Sequence, residues 1–351
     1  MDGRAEDILG RALGSDRVAL LHHWDADGVC SAALAVRKMR AGGWRGEPTF
    51  VCPELGEYGV SEELAVRIAD LAPGAVIVVD YNVSAGHQGL LAETTGAPVL
   101  ILDHHRPRSP EAGKTRGTIS VVNPAADGAS EWEYPACTFV LETVLGAGPR
   151  WLVDVGIVGD LHHRAVDWFE QLEADGRGIR GAGYSFDDLF EASLLIDAHY
   201  KVNDRQGVET ATEFMVRAEG LADVLGREDW RDVKSRVDRE MERLLAVQPE
   251  LRGKGAVFRL DTPMNLTSAL TRRLARENPD RSVVVINASF LEDADQFYVR
   301  NVEPRVAATA IETALSKGYS AGGKDSVFAA VVPKEDSSAF LDEVLSLVDG
   351  A

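Results

Sequence analysis

Val18-Ala-Leu-Leu21 runs directly into His22-His23-Trp24-Asp25-Ala26-Asp27-Gly28, and this junction decides how the chain reads. A short apolar run bounded by polar residues reads as a strand buried on both faces. A helical pattern, Ser31–Met39, follows it. The same unit recurs downstream. Val76–Val79 ends in Asp80, and Val99–Leu102 ends in Asp103-His104-His105, with a helical pattern at Glu62–Leu71 before them. Alternating strands and helices imply a parallel sheet covered on both faces. In such sheets ligands bind at the carboxyl ends of the strands. The polar clusters of this chain sit at those ends.

Further along, Glu209–Leu225 and Trp230–Val247 read as amphipathic helices with mixed charges. From about Gly255 the pattern returns to strands: Ala256–Leu260, Ser282–Ile286, Gln296–Val302 and Val327–Val332. Ser320–Lys324 reads as a glycine-rich turn and Ser338–Val348 as a closing helix. The expected fold class is α/β in two lobes: an N-terminal parallel sheet flanked by helices, a helical connector and a smaller C-terminal α/β domain. The boundaries expected are 1–165, 166–254 and 255–351.

Composition narrows the functional classes. The 351 residues carry a formal charge of −19. Such a surface opposes sequence-blind wrapping of long nucleic acid, which needs many cationic contacts to phosphate. It leaves room for a short phosphate-bearing substrate at a cation-charged cleft, because bound cations reverse the local field. Cys30, Cys52 and Cys137 are isolated, so they read as small buried hydrophobes in a reducing compartment. The N-terminus lacks a signal-peptide core, and no apolar run is long enough to span a bilayer. The expectation is a cytoplasmic protein with no membrane partner.

Four clusters carry the chemistry. Asp25 and Asp27 are close enough to converge on one cation, although a loop or helix-cap role accounts for them equally. Asp80 closes a buried strand, as either a site residue or a cap. Asp103-His104-His105 offers imidazole ligands beside a carboxylate able to fix a tautomer. Asp160 follows the small-residue run Gly156-Ile157-Val158-Gly159. Mixed oxygen and nitrogen donors suit manganese or magnesium better than structural zinc. Two such ions can clamp the attacking and leaving oxygens of a displacement at phosphorus. His162 and His163 read as flanking or surface residues, and Trp24 and Trp132 as core aromatics with base stacking as the less favoured role.

In order, His23-Trp-Asp25-Ala-Asp27-Gly28, Val79-Asp80, Asp103-His104-His105 and Val158-Gly-Asp160 resemble the motifs of the DHH phosphoesterases. Asn123-Pro124 stands where relatives carry such a pair. That family includes RecJ-type exonucleases, nano-RNA phosphatases, cyclic dinucleotide phosphodiesterases and family II pyrophosphatases. The resemblance implies metal ligands at His23, Asp25, Asp27, Asp80, His104 and Asp160. It implies a supporting carboxylate at Asp103 and a substrate-facing His105. The C-terminal part resembles the family's DHHA1-type substrate domain, with Arg300 in Tyr298-Val299-Arg300-Asn301 and the run Gly322-Gly323-Lys324 implied as phosphate binders in a cleft between the lobes. Relatives carry a His after the glycines, where Lys324 stands here.

The expected function is therefore manganese-dependent phosphodiester hydrolysis, with magnesium as the other candidate and two ions as the expected number. The expected substrate is short or single-stranded nucleic acid, or a nucleotide. The rival readings are a catalytically silent partner of replication or repair proteins and a small-molecule phosphatase acting on a cyclic dinucleotide, a phosphonucleotide or pyrophosphate.

Overall fold

The computed structural model describes residues 3–54, 59–107, 109–146, 148–174 and 183–350. These form two compact units, the first built from residues 1–200 and 204–234, the second from 201–203 and 235–351.

In the first unit the elements run α1 (Gly3–Leu13), β1 (Arg17–His22), α2 (Ala26–Ala41), β2 (Glu47–Val51), α3 (Glu62–Ala69), β3 (Ala75–Val79), α4 (Ala85–Thr95), β4 (Val99–Leu102) and β5 (Ile119–Val122). The helices α5 (Cys137–Leu145), α6 (Arg150–Leu161), α7 (Ala165–Ala174), α8 (Phe186–Lys201), α9 (Arg205–Arg217) and α10 (Leu221–Leu225) follow. The five strands are all parallel, in the order β2-β1-β3-β4-β5. Alternate strand residues feed two cores. Val18, Leu20, Ile77, Val79, Leu100 and Leu102 face the helices of the larger cluster. Ala19, Leu21, Val76, Val78, Val99 and Ile101 face α3 and α4. Burial on both faces explains why these strands are continuous apolar runs. The strand order reverses between β1 and β3, which makes their carboxyl ends the crevice of the sheet.

The helix α11 (Glu228–Leu245) leads into the second unit, and the boundary falls within it. There follow β6 (Glu250–Arg252), β7 (Gly255–Leu260), α12 (Thr267–Glu277), β8 (Ser282–Asn287), β9 (Ala294–Arg300), α13 (Pro304–Ser316), β10 (Ser320–Lys324), β11 (Val327–Pro333) and α14 (Ser337–Asp349). They build a six-stranded sheet in the order β10-β11-β9-β8-β7-β6, mixed because only β7 and β8 run parallel. Phe297, Val299, Phe328 and Ala330 face Val306, Ala310, Phe340 and Leu341 of α13 and α14 in one core.

Three expectations change. Residues 166–200 and 204–234 cluster with the first unit rather than forming a separate connector. The pattern Glu209–Leu225 is two helices, because the backbone opens at Gly220 and Asp223 Oδ2 accepts from the amides of Glu219 (2.6 Å) and Gly220 (3.3 Å). Ser320–Lys324 is an edge strand, not a turn, with Gly322 paired to Ala329 and Gly323 to Phe328. The reversal lies at Asp325-Ser326, where Asp325 takes φ +48°. Pairing with the apolar strand β11 overrides the turn preference of the glycines. A Cβ on Gly323 would stand 2.3 Å from Val327 O, so the close pairing itself requires glycine there.

Candidate metal centre

Three parallel strands deliver the site to the crevice. The end of β1 brings His22 and His23. His22 is buried, and burial lowers its ring to about 4, so it stays neutral. Asp25 caps α2 by accepting from the Gly28 amide at 3.1 Å. The capping role foreseen for Asp25 is therefore real, and it coexists with a place in the cluster. Asp27 lies in the first turn of α2, not in an irregular loop, and is fully buried. Its Oδ2 accepts from the amide of Cys137 (2.5 Å) and its Oδ1 from that of Thr138 (3.0 Å), at the start of α5. The residue before Cys137, Ala136, has no side chain able to cap that helix. Asp27 thus caps α5 from 110 residues away, which satisfies orphan amides and sets a carboxylate against the helix dipole.

Asp80 follows β3 with φ +53°, a left-handed conformation that is costly for a side chain. The turn is held by its own amide, which donates to Leu102 O at 3.0 Å. It leaves the carboxylate 1% exposed, with no hydrogen-bond donor on either oxygen. The nearest ring nitrogens are His104 Nε2 at 3.4 Å, His105 Nδ1 at 3.6 Å and His23 Nδ1 at 3.9 Å. Burial, with Asp27, Asp25 and Asp160 adding, pushes its carboxyl well above the ordinary range.

At the end of β4, Asp103 Oδ1 accepts from the amides of His104 (2.8 Å) and His105 (3.2 Å) and lies 2.8 Å from His105 Nδ1. Burial would raise Asp103, but His105 and His104 outweigh it and hold the carboxyl low. The His105 ring is thereby oriented with Nε2 free, and its side chain is 40% exposed. Asn123 fixes the backbone beneath it, donating to His105 O at 2.8 Å. His104 turns the other way. Its Nδ1 lies 3.2 Å from Tyr134 O, and its Nε2 lies 2.9 Å from Asp160 and 3.9 Å from Asp27. Burial opposes a charge on His104, but Asp160 and the other carboxylates lift it to about 10. Burial and Asp160 lift Asp27 to about 6. Asp25 is held below the usual carboxylate range, because His23, 2.7 Å away, outweighs burial.

Ligand atoms gather in two triads, His23-Asp25-Asp80 and Asp27-His104-Asp160, and in a third, overlapping group, Asp80-Asp103-His104-His105, each within 4.8 Å of one another. Asp80 stands beside both through its contact with His104. All six residues expected as ligands are brought together. Asp160 reaches the cluster from the last turn of α6, a helix, rather than from a strand end. The donor set fits two divalent cations of the manganese or magnesium type, and the unpartnered Asp80 carboxylate is the strongest mark of that fit.

Several supporting groups carry no sequence signal: the Cys137 and Thr138 amides, the Tyr134 carbonyl and Asp197 Oδ1, which accepts from the Ala26 amide at 2.9 Å. Gly156 is visible in sequence only as a glycine in a helical run. A Cβ there would stand 2.6 Å from Asp27 Oδ1 and 2.4 Å from Thr138 Oγ1. Gly156→Ala should push Asp27 off its cap, destabilising the fold by about 1–3 kcal/mol and weakening manganese binding about tenfold. Denaturant unfolding and calorimetry read both, and an unchanged affinity would show that Asp27 does not move.

The other candidates lie elsewhere. Trp24 is core, 3% exposed, against the His23 ring. Trp132 is half-buried, its indole N–H donating to Gln171. Neither His162 nor His163 joins a ligand group among the described residues. Cys30, Cys52 and Cys137 are buried free thiols. No described helix is long and apolar enough to cross a membrane. Arg300, Gly322, Gly323 and Lys324 belong to the second unit. Arg300 and Lys324 both pair with Val327, so they share a face of the sheet. The Arg300 guanidinium lies 5.5 Å from the Tyr298 ring, and its Nε is buried without a hydrogen-bond partner. The side chain of Lys324 lies outside what is described.

Comparison with known proteins bears on the fold and on the first half of the chain. Residues 17–150 match the DHH family, N-terminal domain. The single-stranded-DNA-specific exonuclease RecJ of Dickeya dadantii is 28% identical over 172 residues, 48% of this chain and 27% of that protein, so the match spans about a quarter of the relative's length. The crystal structure of exonuclease RecJ bound to manganese superposes with a TM-score of 0.67 at 21% identity, covering 99% of this chain and 94% of that one. CDC45 from Entamoeba histolytica shares the fold more distantly, with a TM-score of 0.56 at 11% identity over 98% and 97% of the two chains. Residues 17–150 of this chain thus match the N-terminal domain of the DHH family, and the chain as a whole has a RecJ-like fold.

Proposed function

We propose that the protein is a manganese-dependent phosphoesterase that hydrolyses phosphodiester bonds in short or single-stranded nucleic acid. The observation that carries this reading is the buried, unpartnered Asp80 carboxylate between two ligand triads, with an oriented and exposed His105 beside it. An unpaired buried carboxylate is costly, and a purely structural scaffold would gain from replacing it. Two bound cations would supply charge neutralisation at the scissile phosphate. His23, Asp25, Asp27, Asp80, His104 and Asp160 would hold them. Asp103 keeps Nδ1 of His105 engaged, so Nε2 is the atom available to donate a proton to the leaving oxygen or to a phosphate oxygen.

In the second unit, Arg300 would grip a neighbouring phosphate, with Gly322, Gly323 and Lys324 on the edge strand β10, one strand removed across β11. Arg300→Ala should raise KM about tenfold with manganese binding intact, the loss expected for a charged hydrogen-bonding group. Lys324→His should keep or improve hydrolysis of short substrates. Unaltered kinetics in Arg300→Ala on both a dinucleotide and a longer strand would remove this role.

The decisive experiment is a manganese-supplemented hydrolysis panel of dinucleotides, longer single strands, cyclic dinucleotides, a phosphonucleotide and pyrophosphate. Cleavage of the linear phosphodiesters supports the proposal, and cleavage of a small molecule alone replaces it with the small-molecule phosphatase. No hydrolysis at all, together with a stable protein complex, replaces it with the silent interaction protein.

A further inference from the structure

Three aromatic rings in the first unit form a file that runs from the edge of the core, at Phe186 and Phe190, out to the exposed His163. Phe186 and Phe190, one turn apart on α8, have centroids 5.9 Å apart and planes at 17°. The His163 ring lies 4.7 Å from Phe190 at 33°. The phenylalanines are half-buried and pack inward against the large cluster, whereas His163 is exposed. Its position is set by the end of α6. His162 adopts φ +52°, and a short 3-10 turn, His162–Arg164, carries His163 away from the helix axis. His163 is three residues beyond Asp160, so the two Cα atoms are at most about 11 Å apart. An exposed imidazole backed by stacked phenyl rings presents a flat face of the kind on which nucleobases stack.

We propose that the His163–Phe190–Phe186 file is a base-binding platform beside the metal centre, taking the nucleobase of a nucleotide whose phosphate lies at that centre. It rests on the nucleic-acid reading above and deepens it, because a base platform makes nucleotides, rather than pyrophosphate, the matching substrate class. The outer face of His163 contacts the base, and Phe190 backs the imidazole at a tilt of 33°. The platform is tolerant of base identity, since every base offers a π face.

The test is equilibrium binding of the full chain in manganese, which requires no turnover. Adenosine 5′-monophosphate and ribose 5-phosphate share the phosphate and the sugar and differ in the base. The parent is expected to bind the nucleotide about tenfold more tightly, a gap within the range for base stacking. His163→Ala should abolish the gap while leaving ribose 5-phosphate binding and the melting temperature unchanged, and His163→Phe should retain it. A parent with no gap, or a gap untouched in His163→Ala, overturns the platform. A gap of the expected kind in a protein that hydrolyses no phosphodiester leaves the platform standing and removes the hydrolytic reading alone.

Discussion

Asp80→Asn is expected to lose manganese binding and turnover together while the protein remains folded. The parent carboxylate is 1% exposed, has no hydrogen-bond donor and is pushed well above the ordinary carboxyl range, so a bound cation would stabilise its ionised form. Asparagine keeps the shape, tolerates the left-handed backbone at φ +53° and removes the charge. Metal-free, the variant should be at least as stable as the parent, because the buried charge and its repulsion from Asp25, Asp27 and Asp160 are gone. Added manganese should then separate the two proteins. A ligand at a hundred times its Kd stabilises the folded state by about 2.7 kcal/mol, so the parent's melting temperature rises and the variant's does not. Calorimetry should show lost stoichiometry at one or both sites, since Asp80 stands beside both triads. Unchanged stoichiometry and affinity would sink the assignment of the centre.

His105→Ala should do the opposite: retain manganese binding and lose turnover by about 10²–10⁴-fold, the usual contribution of a positioned acid or base. The two histidines of the signature are separated by geometry. His104 is buried with Nε2 toward three carboxylates. His105 is 40% exposed, with Nδ1 taken by Asp103. Asp103→Asn should fall between parent and His105→Ala, since the amide accepts the same backbone bonds and loses only the charge that orients the ring. Single-turnover rates at saturating manganese measure both. Near-normal turnover in His105→Ala would make that residue structural.

Much of the site is legible without coordinates because its ligands lie in short contiguous runs. His23, Asp25 and Asp27 follow one apolar strand, Asp80 ends the next, and Asp103-His104-His105 ends a third. Buried parallel strands are continuous apolar runs, so their ends are marked by the first polar residue, and in this fold class those ends are the crevice. Asp160 is legible as an acid after a helix or a loop, and Gly156 and Gly159 leave that choice open because they serve a helix that must pass close to Asp27. Ser320–Lys324 misleads for a related reason: glycine preference is local, whereas strand pairing with Val327–Pro333 is not.

The sequence by itself determines the alternating α/β pattern, the identity and order of the candidate ligands and the acidic balance of the chain, since each depends on residue type and local periodicity. Only the tertiary structure decides how those ligands are held. Asp27 is oriented by amides 110 and 111 residues away, and Ala26 by a carboxylate 171 residues away. The left-handed turn at Asp80 exists because β4 accepts its amide. The aromatic file at His163 exists because Phe190 of α8 meets the 3-10 turn that follows α6. Such partners carry no local mark, because a backbone amide or a phenylalanine looks the same in sequence wherever it points, and packing between distant segments alone chooses its direction.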